Sequence, residues 1–174
     1  MILSDDFRSS ASGLPAAGYA NGQYRLQSPA GIIQRVAYPQ ATNASRITYE
    51  LTGQRVSSPA DAGMGLIVRL ADNGNYLFFA VFNDSSVVVF AKVNGSIKQL
   101  TDPGLKSRVV SASGPNTLRV VAEGSTFTIS ANGQSIGVLP IDGVWPSGGY
   151  GFGTVAGDND AATFAFTKFA VIGG

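Results

Sequence analysis

Turn signals recur at short intervals along this chain, and they constrain its fold more than any other feature. They lie at Asp72-Asn73-Gly74, Asn83-Asp84, Asn94-Gly95, Glu123-Gly124, Asn132-Gly133 and Ser147-Gly148-Gly149. Asn-Gly favours positive φ at both central positions of a turn, so it indicates a tight β-hairpin. No long window has the 3.6-residue periodicity of a helix, and the chain is therefore predicted to be all-β.

The segments between the turns have the composition of strands, rich in branched and aromatic residues. We predict strands at residues 23–26, 32–37, 46–51, 64–70, 76–82, 87–93, 117–122, 126–131, 135–139, 150–156 and 163–172. Many short strands with regular turns are typical of a sandwich or barrel. Because no linker or shift in composition interrupts the pattern, one domain is expected over residues 1–174.

The segment 76–82 is unusual because it is apolar on both faces. Successive side chains of a strand point to opposite faces, so Leu77, Phe79 and Val81 share one of them. The opposite face carries Tyr76, Phe78, Ala80 and Phe82. A strand with one wet face would alternate apolar with polar residues. We expect the first set in the core and the second on the outer, concave side, as a patch covered by a loop, a ligand or another subunit.

Composition excludes several classes of function. The chain has 12 Lys and Arg against 11 Asp and Glu, with no cluster of basic residues, so it is not expected to bind nucleic acid. It has no His, which removes the commonest general base, and no Cys, which removes disulfides and thiolate chemistry. Only 13% of its residues are charged, so Ser, Thr, Asn and Gln must supply the polar surface. Such a surface suits sugars or a protein partner.

The beginning of the chain gives a prediction about its location. No basic region followed by an apolar run comes after Met1, so no signal peptide is visible. No stretch of about 18 apolar residues exists either, and membrane insertion is not expected. Two locations remain: an extracellular domain cut from a larger exported protein, or the surface of a virion or particle.

The order of the sequence motifs resembles that of a known superfamily. These motifs are Asp5-Asp6-Phe7, Gly22-Gln23-Tyr24, Gly65 to Arg69, Asp72 to Phe79, Lys92-Val93-Asn94-Gly95, Asn116 to Val120, Ile129 to Gly133, Gly151-Phe152-Gly153 and Phe164 to Val171. The chain resembles the concanavalin A-like lectin and glucanase superfamily, and within it the laminin-G-like and 3-keto-disaccharide hydrolase-type domains of bacteria. The resemblance implies a jelly-roll sandwich of two antiparallel sheets with adjacent N- and C-terminal strands.

The resemblance also implies where to look for contacts and sites. It places Phe7 beside the last strand, so that Phe7, Phe166 and Phe169 are expected to form one cluster. In such folds ligands usually meet the concave sheet or the loops at its rim. The fold alone does not determine function, because it hosts lectins, glycosidases, adhesion modules and viral proteins.

Sugar binding needs aromatic faces together with planar polar groups. The candidate contacts are Arg69, Tyr76, Phe78, Phe82 and Trp145. Trp145 is the only Trp and lies in a loop between turn residues, where exposed aromatic side chains mark interaction sites. Two alternatives stay open: Trp145 packs over one end of the sandwich, and Arg69 pairs with a surface acid such as Asp72.

A calcium site is the candidate metal centre. Ca²⁺ prefers six to eight oxygen ligands, and Asp158, Asn159 and Asp160 form a compact oxygen cluster. Asp5 and Asp6 would join it if the two regions meet. The alternative is a hydrophilic hairpin tip without metal.

Catalysis is not expected. Glycoside hydrolysis needs two carboxyl groups flanking the bond, and the two Glu residues, Glu50 and Glu123, lack the Glu-x-Asp-x-x-Glu pattern of laminarinase-type members. We predict a non-catalytic recognition module that binds carbohydrate or a cell or particle surface. One alternative is a structural or assembly protein, such as a virion decoration or appendage subunit that forms homo-oligomers. Another is a hydrolase of the 3-keto-disaccharide type with Glu50 as its acid.

Overall fold

The computed structural model describes residues 1–9, 13–57, 61–101 and 103–174. The strands are β1 (Leu3–Asp5), β2 (Tyr19–Ala20), β3 (Gln23–Ser28), β4 (Ile33–Thr42), β5 (Arg46–Arg55), β6 (Ala62–Asp72), β7 (Asn75–Phe82), β8 (Ser86–Val93), β9 (Ser96–Gln99), β10 (Leu105–Lys106), β11 (Asn116–Glu123), β12 (Thr126–Ala131), β13 (Gln134–Pro140), β14 (Gly148–Ala156) and β15 (Ala162–Gly173). A 3-10 turn at Ala16–Gly18 precedes β2. Within these ranges no helix is long and apolar enough to span a bilayer.

The strands form two antiparallel sheets, as predicted for a jelly-roll sandwich. The first sheet has the order β13-β12-β11-β5-β15-β3-β2, with β1 beside β15. The second sheet has the order β10-β8-β7-β6-β14-β4, with β9 beside β8. The N-terminal strand pairs with the C-terminal one, with Leu3 opposite Val171, which confirms that the two ends of the chain are adjacent.

The strand β4 is longer than the sequence indicates. The prediction ended it at Ala37, because Pro39 lacks the N–H that a sheet needs, but the strand continues to Thr42. It is the edge strand of the second sheet, where a missing donor breaks no ladder bond on the solvent side. The short strands β1, β2, β9 and β10 were not predicted, since two to four residues are too few to show a period.

The inner faces of the two sheets enclose the main core. Leu77, Phe79 and Val81 are buried in it, as the alternation along β7 predicts. The aromatic cluster predicted for Phe7, Phe166 and Phe169 also forms. Phe152 joins its members, with ring centroids 5.4 Å from Phe7, 4.7 Å from Phe166 and 5.6 Å from Phe169.

The outer face of the second sheet carries a separate apolar cluster, which the chain covers by itself. Its buried members are Ile67, Tyr76, Phe78 and Ala80, and Ile33, Leu70, Phe82, Phe90 and Val155 pack against them. Phe78 is 0% exposed and Tyr76 2% exposed, so side chains of the same chain cover these two rings, where a loop, a ligand or another subunit was expected. The Arg35 guanidinium lies 5.3 Å, and the Lys92 ammonium 5.6 Å, from the centroid of the Tyr76 ring.

Glycines on the neighbouring strand β6 explain how rings on this face become buried. Gly63 and Gly65 of β6 lie four and two residues before Ile67, so they are on the same, outer face. Having no side chain, they leave space above the backbone. A Cβ atom at Gly63 would lie 3.0 Å from two carbon atoms of the Phe82 ring. The ring therefore lies over the glycine, an arrangement that shields both from water.

We predict that Gly65→Ala destabilises the protein by at least about 2 kcal/mol, because the new methyl group would overlap the carbonyl oxygen of Phe79. Gly137→Ala on β13 is the matched control, since the nearest atom to its Cβ would be Leu105 Cδ1 at 3.7 Å. The control should change stability by less than about 1 kcal/mol. Urea unfolding measures both. Equal stabilities for the two variants would contradict the close approach of β6 to β7.

Candidate functional site

A cavity of about 540 Å³ opens at one end of the sandwich, between β7, β8, β9 and the loop that joins β13 to β14. We call it the Trp145 cleft, after the Trp of that loop. Its apolar floor consists of Leu77, Ala91, Leu100, Ile141 and Val144. Its rim carries Asn94, Ser96, Lys98, Asp142 and Trp145. The sequence prediction included Trp145 and missed the other rim residues.

Hydrogen bonds between two turns hold one wall of the Trp145 cleft. The Asp72 carboxylate accepts bonds from the backbone N–H of Gly74 at 2.7 Å and from the side-chain amide of Asn75 at 2.8 Å. These bonds, the one from Asn75 foremost, lower the pKa of Asp72. The Asn75 side-chain oxygen accepts the backbone N–H of Asn94 at 2.9 Å, and Gly95 N–H donates to the Gly74 carbonyl at 3.0 Å. The turn that presents Asn94 is therefore fixed without any ligand.

The opposite wall is the loop after β13, and backbone and apolar contacts position it. The backbone N–H of Ile141 donates to the carbonyl of Ser125 at 2.8 Å, which ties the loop to the β11–β12 turn. Ile141 is buried and Val144 packs against the main core. Trp145 is half-buried, so it contributes both to packing and to the open cleft.

The polar groups at the rim of the Trp145 cleft are free to bind a ligand. The side chains of Asn94, Ser96, Lys98 and Asp142 have no hydrogen bond or ion pair with any part of the chain that the structure describes. Together they offer an amide, a hydroxyl, an ammonium and a carboxylate, beside an indole and above an apolar floor. This arrangement suits a ligand with one apolar face and a polar edge.

Arg69 does not lie at the surface, where the prediction placed it. Its side chain is 2% exposed and points between the sheets, where Nη2 donates to the carbonyl of Gly124 at 3.0 Å. Its Nε and Nη1, and the hydroxyl of Tyr49, have no partner among the described residues. Burial raises the pKa of Tyr49 to about 12, although the charge of Arg69 opposes the shift. Neither surface role predicted for Arg69 fits this position.

A bulge in β6 explains the inward direction of Arg69. The pairing of β6 with β7 shifts register between Val68 and Asp72, and Arg69 has a φ of 57°. An extra residue in one strand reverses the face to which later side chains point. Pairing of Arg69 with Asp72, the alternative from the sequence, is also excluded in this conformation, since Asp72 accepts bonds from Gly74 and Asn75 instead.

We predict that Arg69→Met leaves the free energy of unfolding unchanged or raises it by about 1–3 kcal/mol. The substitution removes a buried charge that has no counter-ion among the described residues, and it keeps an apolar stem of similar shape. Arg119→Met, at an exposed position on β11, is the matched control and should shift stability by no more than about 0.5 kcal/mol. A loss of more than about 2 kcal/mol in Arg69→Met, measured by urea unfolding, would show that the guanidinium is well paired.

A second cavity, of about 470 Å³, lies on the outer face of the second sheet, and we call it the Phe82 cleft. Phe82, Val88, Phe90 and Val155 form its apolar wall, and Asp61, Asp84, Gln99 and Lys106 its polar groups. Of the predicted aromatic contacts on β7, Phe82 lines this cavity, and Tyr76 and Phe78 line neither of the two clefts. Tyr76 and Phe78 are buried, so in this conformation a ligand does not reach them; their predicted role as contacts is otherwise untested.

The aspartates predicted to share a calcium site lie far apart. Asp158 and Asp160 are exposed in the turn before β15 begins at Ala162, whereas Asp5 pairs with Phe169 further along β15. At about 3.3 Å per residue the separation is roughly 20 Å or more. The described residues contain no group of three or more His, Cys, Asp or Glu side chains that could hold a metal ion. The shared site is thus wrong, and calcium binding itself stays a prediction.

The side chains of Asp5 and Asp6 have other partners near the N-terminus. The buried carboxylate of Asp5 accepts bonds from the Tyr38 hydroxyl at 2.9 Å and from the backbone N–H of Phe7 at 2.8 Å. Asp6 lies 3.6 Å from the Arg8 guanidinium at the surface. These contacts fix the start of the chain against β4 and the aromatic cluster.

The two glutamates do not form a catalytic pair in this fold. Glu50 lies 2.7 Å from the Lys168 ammonium, and Glu123 lies 2.9 Å from the Arg46 guanidinium. Glu123 is opposite Arg46 in the register, four residues before Glu50 on β5, which separates the carboxylates by roughly 13 Å along the strands. Glycosidase carboxylates lie about 5–9.5 Å apart.

Comparisons by sequence give no relative for this chain. No protein-family model matches it, and no curated protein matches it in sequence. Comparisons by structure do find relatives, and three of them follow.

The structure is similar to the carbohydrate-binding module CBM66 from Bacillus subtilis, with a TM-score of 0.65 and 20% identity over 83% of this chain and 86% of that one. It is similar to the CBM2 module of the evolved Dit of Lactobacillus casei BL23 phage J-1, with a TM-score of 0.64 and 13% identity over 98% and 94%. The GH43 protein BlXynB from Bacillus licheniformis matches with a TM-score of 0.71 and 16% identity.

The match to BlXynB covers 98% of this chain but only 39% of that protein, so it concerns one part of a longer protein. At such low identity these likenesses show the fold alone. Two antiparallel sheets in jelly-roll order, with the terminal strands paired, together with these neighbours show that the chain has the concanavalin A-like β-sandwich fold.

Proposed function

We propose that this protein is a non-catalytic carbohydrate-binding module and that the Trp145 cleft is its ligand site. One observation carries the proposal: polar side chains that have no partner among the described residues surround an indole ring and an apolar floor. These side chains are exposed, so they can exchange water for the hydroxyl groups of a ligand, and they converge on one concave site with an apolar floor.

The chemistry of a sugar ring fits this surface. A pyranose has a face of C–H groups, which packs on an indole, and an edge of hydroxyl groups, which donate and accept hydrogen bonds. The Asn94 amide can donate and accept hydrogen bonds with one sugar, Asp142 can accept them, and Lys98 can donate them. Because the turns that present these groups are held by hydrogen bonds already, little ordering entropy is lost on binding.

The structural neighbours support the same class of ligand. Two of them are described as carbohydrate-binding modules, and both match this chain over most of their own length. The separated and paired glutamates support a function without catalysis. A glycan-binding module acts where glycans are presented, so we propose an extracellular location or the surface of a virion or particle.

The alternative of an assembly protein loses part of its motivation. It depended in part on apolar residues on both faces of the strands, and Tyr76 and Phe78 of the second face are buried within the chain. Protein subunits as partners and homo-oligomers stay predictions from the sequence.

We predict that a glycan array identifies at least one bound saccharide and that Trp145→Ala weakens its affinity about 30-fold or more. Truncating a central aromatic contact of this kind costs about 2 kcal/mol. Titration calorimetry with the saccharide from the array measures the effect, and Asp142→Asn should weaken binding as well.

Glu50→Gln is the matched control, because Glu50 lies on the outer face of the first sheet and contacts Lys168. It should leave the affinity unchanged. The proposal fails if no saccharide binds, or if the Trp145→Ala protein binds as tightly as the parent chain.

A further inference from the structure

We propose that the Phe82 cleft is a second ligand site and that it takes an amino sugar with a free ammonium group. This cleft is separate from the Trp145 cleft. It lies on the outer face of the second sheet at the C-terminal end of β7, whereas the Trp145 cleft lies at the N-terminal end of β7 and uses inner-face residues. The two clefts lie on opposite faces of this sheet, since Phe90 and Gln99 line one of them and their chain neighbours Ala91 and Lys98 line the other.

The wall of the Phe82 cleft presents two aromatic rings. Phe82 and Phe90 are only half-buried, and their ring centroids lie 6.4 Å apart at an interplanar angle of 54°. The rings thus form a corner rather than a stack, and Val88 and Val155 continue the apolar surface beside them. A ring-shaped ligand can pack its C–H face on one of them while its substituents reach the polar side.

Most of the polar groups of this cleft already have partners. The Asp84 carboxylate forms an ion pair with Lys106 and accepts a hydrogen bond from the Ser86 backbone N–H at 3.0 Å. The bond from Lys106, foremost, lowers the pKa of Asp84. The side-chain amide of Gln99 donates to the Thr101 carbonyl at 2.5 Å. These groups shape the cleft and contribute no net charge to it.

Asp61 is the exception. Its carboxylate has no hydrogen bond or ion pair with the described part of the chain, and it lies beside Gly157, whose N–H donates to the Asp61 backbone carbonyl at 2.7 Å. Lys106 and Asp84 neutralise one another, so among the described residues that line the Phe82 cleft the negative charge of Asp61 is uncompensated.

A carboxylate next to aromatic faces selects a cation. An ammonium within about 6 Å of a ring centroid is attracted to the face of that ring, and it forms a charge-assisted hydrogen bond with a carboxylate. The same sheet face already holds one such contact, since the Lys92 ammonium lies 5.6 Å from the Tyr76 ring centroid. A sugar ring fills the corner between the rings better than an alkyl chain, and its ammonium then reaches Asp61.

The test compares three β-1,4-linked tetrasaccharides that differ in the substituent on C2 of each ring. They are the glucosamine tetramer, the N-acetylglucosamine tetramer and cellotetraose. Calorimetry at pH 6 and low ionic strength keeps electrostatic attraction between ligand and cleft weakly screened. We expect the glucosamine tetramer to bind at least tenfold more tightly than either neutral tetramer. Equal affinities for all three would overturn the proposal.

Two variants and one simple amine locate the effect. Asp61→Asn should abolish the tenfold preference, and Phe82→Leu should weaken binding of the glucosamine tetramer; retention of the preference in Asp61→Asn would contradict the assignment. Asp142→Asn, in the Trp145 cleft, should leave the preference intact, which separates this proposal from the function proposed for that cleft. Butylammonium should bind much more weakly than the glucosamine tetramer. If its affinity equals that of the tetramer counted per ammonium group, the claim that the cleft recognises a sugar ring is overturned.

Discussion

The structure depends on the way β7 buries both of its faces. Its inner side chains, Leu77, Phe79 and Val81, join the core between the sheets, as in any sandwich. Its outer rings are buried against Ile67, Phe90 and the glycines of β6, without help from a loop or a partner. The centre of the second sheet is therefore apolar throughout. The polar groups that can bind a ligand lie instead near the ends of the strands, in the Trp145 cleft and the Phe82 cleft.

The distribution of charges reinforces this division. On the outer face of the first sheet, the carboxylates of Glu50 and Glu123 have paired with Lys168 and Arg46. Exposed pairs of this kind contribute about 0–1 kcal/mol each, so they add little to the stability of the fold. In each of the two clefts, polar side chains without a partner among the described residues border a concave apolar surface. In a chain without His or Cys, such groups are the clearest indication of where a ligand binds.

The sequence predicted most of the fold and little of the site. Alternation and turn residues were sufficient for the longer strands and for the inward set on β7, because both are local properties of the chain. The burial of Phe78 depends on which residues of β6 lie beside it, and pairing register is not a local property. Arg69 turned inward because one bulge reversed the parity of its strand, and nothing in the local sequence marks that bulge.

The Trp145 cleft was predicted through one residue only. Trp145 was recognised because a lone Trp between turn residues is unusual in a loop. Asn94, Ser96 and Lys98 were missed because their hairpin looks like an ordinary turn until the Asp72–Asn75 turn is seen beside it. Two turns that are distant in sequence build the rim together, and only the topology of the second sheet brings them into contact.

The most direct test uses the fact that the chain has a single Trp, whose indole N–H gives one resolved signal in a ¹⁵N-labelled sample. The saccharide found on the glycan array is titrated into this sample. If the Trp145 cleft is the carbohydrate site, the indole signal and the backbone amides of Asn94 to Lys98 shift together with one dissociation constant. An indole signal that stays in place, while amides elsewhere in the sandwich shift on saturation, would contradict the account.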